Sequence, residues 1–121
     1  MTKHRTLEDY KRAGAYLRLL NSVFVDTFSN VCRVFPLKET GRLASIDKNV
    51  LVKFRCSAEE RMWHDHPGLT PEHRHVFFGS PDVPPRDDVD LEVQGIIIDI
   101  MEEMLNKAKA ARELALTRRQ G

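Results

Sequence analysis

Four of the five histidines, His64, His66, His73 and His75, fall within twelve residues, as His-Asp-His and His-Arg-His on either side of Pro67-Gly68. Imidazole binds zinc and related divalent metals. Asp65, Glu72 and Cys56 offer further donors nearby. One expectation is therefore a zinc or other divalent-metal site built from His64, His66, His73 and His75. The spacing limits it: residues two apart on a helix point about 200° apart, so His64 and His66 share an ion only where the chain is extended or the helix has ended. No Cys-x-x-Cys or His-Glu-x-x-His is present. The competing reading is a set of solvated histidines in a polar loop, with no cofactor.

A second constellation is Arg61-Met62-Trp63-His64-Asp65-His66. It resembles the arginine, four residues, histidine signature of HEPN-type ribonucleases, which are helical bundles of similar length, usually dimeric, that cut RNA without metal. The resemblance implies that Arg61 stabilises charge developing on the scissile phosphate and that His66 moves the proton of the attacking 2′-hydroxyl. It covers six residues, and the polar residue that often follows the arginine in that family is Met62 here. The alternative is that Arg61 is a surface helix residue and His66 closes the helix before Pro67.

Basic and aromatic residues also mix at His73-Arg74-His75-Val76-Phe77-Phe78, and Lys107, Lys109, Arg112, Arg118 and Arg119 crowd the last helix. Together they could touch the phosphates of RNA or DNA and stack its bases. The acidic stretch from Asp82 to Asp90 argues against a broad nucleic-acid face. Trp63, Phe77 and Phe78 read more simply as core or interface anchors. No Gly-rich phosphate loop, no Gly-x-Ser-x-Gly elbow and no Glu-x-x-His repeat of a di-iron bundle is present.

Whatever these groups do, helices must position them. The 121 residues suit one hydrophobic core, and 41% apolar with 31% charged residues is a folding composition. A net charge of +1 creates no strong long-range field. Cys32 and Cys56 are too few for a disulfide framework, and each sits in an apolar run as a small buried hydrophobe would. The chain shows neither a membrane-spanning run nor a secretory signal, and a cytoplasmic location is expected.

Thr6 reads as an N-cap, with Glu8 and Asp9 in the first turn. From there Tyr10, Ala13, Leu17, Leu20, Phe24, Phe28, Val31 and Phe35 recur every three or four residues, until Pro36 ends the stripe. A last helix from about Asp88 to Thr117 carries Val89, Val93, Ile96, Ile97, Ile100, Met104, Ala108, Ala111 and Leu114. Its acidic start and basic end follow the helix dipole.

The middle has two readings. As a helix, Leu43, Ile46, Val50, Phe54, Ala58 and Met62 form one stripe. As a strand, Val50, Val52, Phe54 and Cys56 alternate after an Asp47-Lys48-Asn49 turn, and Ser57 to Glu60 resembles a capping box opening a short helix. Five of the six prolines lie from Pro67 to Pro85. Within that irregular region Thr70 can cap a short helix, Pro71 suits its first position, and Gly79 can close the turn.

The expected fold is mainly α: one domain over 1–121 with flexible tails at 1–5 and 117–121, forming a three- to four-helix bundle with long helices and a Pro-rich connection. The alternative is an α+β fold with a small hairpin from about 31–37 and 49–56. If the first and last helices run parallel, the basic start of the first (Lys3, Arg5, Lys11, Arg12, Arg18) lies beside the acidic start of the last (Asp87, Asp88, Asp90, Glu92), as exposed pairs that select a register. The expected function is a non-catalytic protein-interaction module or small subunit of a larger assembly, with homodimerisation through the last helix as its simplest form. A HEPN-like ribonuclease, a nucleic-acid-associated protein and a His-rich metal-binding protein are the alternatives.

Overall fold

The computed structural model describes residues 5–80 and 82–120, the side chains of 37, 47 and 48 excepted. It is mainly α, and no strand occurs among the described residues, which removes the hairpin over 31–37 and 49–56. Among the described residues, no helix is long and apolar enough to cross a membrane.

Helix α1 (Leu7–Val31) opens on a complete capping box. Thr6 Oγ1 accepts from Asp9 N at 3.1 Å, and Asp9 Oδ2 accepts from Thr6 N at 2.9 Å. Two amides that an isolated helix leaves unpaired are thereby satisfied. The helix stops at Val31, several residues ahead of Pro36, in a turn where Phe35 N reaches back to Val31 O at 2.9 Å.

The middle is helical throughout: α2 (Leu37–Ile46), a π-helical turn (Asp47–Leu51) and α3 (Val52–Asp65). The π turn absorbs the Asp47-Lys48-Asn49 sequence that reads as a β-turn, widening the coil without breaking it. Ser57 consequently lies inside α3 and opens no new helix. A short 3-10 helix (Pro71–His75) has Thr70 at its N-cap position and Pro71 at its start, and α4 (Asp88–Gln120) closes the chain. α4 runs through residues 117–120, and residues 1–4 and 121 of the expected tails lie outside the described residues.

The core joins Tyr10, Ala15 and Leu19 of α1, Met62 of α3, Val76 and Phe77 of the connection, and Val89, Val93, Ile97 and Ile100 of α4. An irregular segment thus sits among three helices. Its presence shifts the buried face of α1 away from the apolar stripe: Ala13 and Leu20 are exposed, whereas Gly14, Ala15, Arg18 and Leu19 are buried. Gly14 is needed there, because a Cβ would lie 2.7 Å from Val76 Cγ1 and closer still to the Val76 carbonyl oxygen. The cysteines also differ from expectation, since Cys32 and Cys56 are both exposed and unlinked. Cys32 is the C-cap of α1, and Cys56 lies on an outward side of α3.

Candidate functional site

Among the described residues the backbone supplies one donor to the carbonyls of the connection 75–78, Phe78 N to His75 O at 3.3 Å, and an unpaired buried carbonyl costs of order 1–3 kcal/mol. Three arginines supply the missing donors. Arg18 donates to the carbonyls of His75 and Val76, the second at 3.2 Å. Arg55 Nε donates to Phe77 O at 2.9 Å, with its guanidinium 4.4 Å from the centroid of the Phe78 ring. Arg86 Nη2 donates to Phe78 O at 2.6 Å. Four consecutive carbonyls are therefore held by guanidinium groups from α1, α3 and the loop before α4.

Asp90 neutralises two of these cations, meeting Arg18 Nη1 at 2.5 Å and Arg86 Nε at 3.1 Å. Burial alone would raise the Asp90 carboxyl, but the Arg86 amide and the two guanidinium groups overcome it and bring it down to about 2. Desolvation lowers Arg18 from its ordinary value, and Asp90 opposes that. The pairs expected as exposed register-setters are thus largely internal: Arg18 and Asp90 are buried, and Lys11, also buried, meets Glu92 at 2.7 Å. A charged residue beside an apolar stripe reads as surface, so nothing in the chain order marked Arg18 or Arg55 as internal.

The histidines serve local roles at separate places. His66 caps the C-terminal end of α3, donates from Nε2 to Arg5 O at 2.9 Å, and presents its ring edge-on to Tyr10 with centroids 5.9 Å apart. His64 is exposed on α3. His73 Nδ1 lies 3.1 Å from Thr70 Oγ1, and His75 Nε2 lies 3.5 Å from Asp87 Oδ2. Among the described residues, no three or more His, Cys, Asp or Glu side chains are grouped so as to hold a metal ion.

Arg61 is exposed and lines two adjoining hollows between α1 and α3, of about 390 and 380 Å³. Arg5 lines both with it, and His64 and Asp65 lie in the second. Tyr10 donates its hydroxyl to Asp65, which holds that carboxyl below its usual range. Burial, with this bond, raises the Tyr10 phenol. His66 is turned onto Arg5 and Tyr10 at the end of α3 and lines neither hollow. In the basic-aromatic stretch, Val76 and Phe77 are buried in the core, so they offer no face on which a base could stack.

An open apolar groove of about 980 Å³ lies between α1 and α4. Leu20 and Val23 form one wall, and Ile98, Met101, Met104 and Leu105 the other, each about half exposed. Beyond Ile100 every described residue of α4 is exposed, so the stripe that buries Val93 and Ile97 continues into water as Met104, Ala108 and Ala111. The chain matches no protein-family model, no curated protein and no solved structure.

Proposed function

We propose that this chain works as a non-catalytic helical protein-interaction module, or as a small subunit of a larger assembly. The observation that carries this reading is the α1/α4 groove, whose walls are aliphatic and half exposed. Scattered exposed hydrophobes are ordinary on a protein surface, but a contiguous patch rimmed by charge marks an interface. The overhanging half of α4 supports the same reading. A helix of that length without tertiary packing is marginal in water, and a partner along its apolar stripe supplies what the core does not.

The test is in-cell photo-crosslinking. A benzophenone side chain at Leu105, in the groove, is expected to give discrete protein adducts that the same probe at Arg33, in the exposed turn after α1, does not. Adducts no more frequent from Leu105 than from Arg33 would overturn the reading. The ribonuclease alternative has weaker support, because the His66 Nε2 proton is donated to a backbone carbonyl and the ring packs on Tyr10.

A further inference from the structure

The charges of α4 are segregated along its length. Every charged residue from Asp88 to Glu103 is acidic, and from Lys107 to Arg119 every one except Glu113 is basic. Within one helix this order suits the backbone dipole. Between two copies it decides orientation: side by side in the same direction, like charges face each other, whereas antiparallel helices set each basic half against an acidic half.

We propose, resting on the interaction reading above, that the occupant of the α1/α4 groove is α4 of a second copy, laid antiparallel to the first. The groove's α4 wall and the overhanging stripe are the same surface, as a two-fold interface requires. The stretch from Met101 to Gln120 spans about 30 Å at 1.5 Å per residue, long enough to traverse the groove. Ala108, Ala111 and Ala115 continue the spacing of Met101 and Met104, and their small side chains let two helices approach closely. With Leu20, Val23, Ile98, Met101, Met104 and Leu105 each 46–55% exposed, mutual covering of these faces buries on the order of 1,200 Å² in total, the lower end of the size of a stable specific interface. The product is a four-helix core of α1, α4 and their symmetry mates.

Sedimentation velocity of the full chain across a range of concentrations is expected to show a monomer–dimer equilibrium. Leu105→Glu is expected to raise its Kd at least about tenfold with an unchanged circular-dichroism spectrum, since Leu105 contributes nothing to the monomer core. Direction is read from disulfide trapping of single cysteines in a Cys32→Ser, Cys56→Ser background, since a disulfide forms only where two Cα atoms come within about 7 Å. Mixed Glu102→Cys and Arg118→Cys copies are expected to crosslink to each other, and Arg118→Cys alone is not expected to crosslink to itself. A monomer at every concentration, a dimer indifferent to Leu105→Glu, or ready crosslinking between the two 118 positions would each overturn the proposal. A monomer that still crosslinks to other proteins from Leu105 would defeat self-pairing alone and leave the interaction reading standing.

Discussion

Arg18 of α1 and Asp90 of α4 meet at 2.5 Å inside the protein, and through Arg18 the same ion pair grips the carbonyls of the segment wedged between those helices. The two charges are thus a bracket for backbone more than an isolated salt bridge. A buried pair gains little net stability over apolar residues of equal shape, but removing one member leaves its partner charged and unmatched.

Arg18→Ala is accordingly expected to lower unfolding stability by about 3 kcal/mol, the cost of leaving the buried Asp90 with Arg86 alone and the Val76 carbonyl unmatched. Arg18→Lys should recover only part of this, because one ammonium cannot span Asp90 and the His75 and Val76 carbonyls at once. Urea denaturation of both variants checks it. A loss below about 1 kcal/mol for Arg18→Ala would show that Arg86 alone can serve Asp90.

Acid should expose the same bracket. The Asp90 carboxyl titrates at about 2 in the folded protein, below its unfolded value. Its contribution is therefore complete above roughly pH 4 and is lost as pH falls toward 2, a change of about 2–3 kcal/mol. Asp65 and Asp82 are also held low, by Tyr10 and Ser80 respectively, and act in the same direction. Denaturant midpoints measured from pH 6 to pH 2 should fall more gently in Asp90→Asn than in the wild type. Parallel curves would contradict the assignment.

Two glycines should respond in opposite ways. Gly14→Ala drives a methyl into the Val76 backbone and is expected to cost about 1–3 kcal/mol or more. Gly95→Ala lies in α4 with nothing within 4 Å of the new methyl, and it should stabilise by about 0.5–1 kcal/mol through helix propensity. Thermal unfolding of the pair checks the close approach of α1 to the connection.

Unstructured RNA incubated with the pure protein should remain intact, and equally so with His66→Ala, given that His66 is engaged with Arg5 and Tyr10. Cleavage by the wild type that disappears in His66→Ala and in Arg61→Ala would reinstate the six-residue resemblance as function.

Order along the chain was enough for several elements that depend on neighbours a few residues apart, though not for 37–65, where a helix and a strand fitted the same apolar residues. The Thr6 cap, the acidic first turns, the last helix and its Val89-Val93-Ile97-Ile100 face all follow from local hydrogen bonding and 3.6-residue periodicity, which act within a turn or two. The mainly α class came with them. Only tertiary structure decided which side of α1 is internal, because a non-periodic segment, residues 75–78, enters the core and must have its carbonyls matched. Arginines from three distant stretches meet that need, and no spacing rule links positions 18, 55 and 86. Nor could order alone disperse the histidines or leave the α1/α4 groove open, since both depend on how whole helices cross.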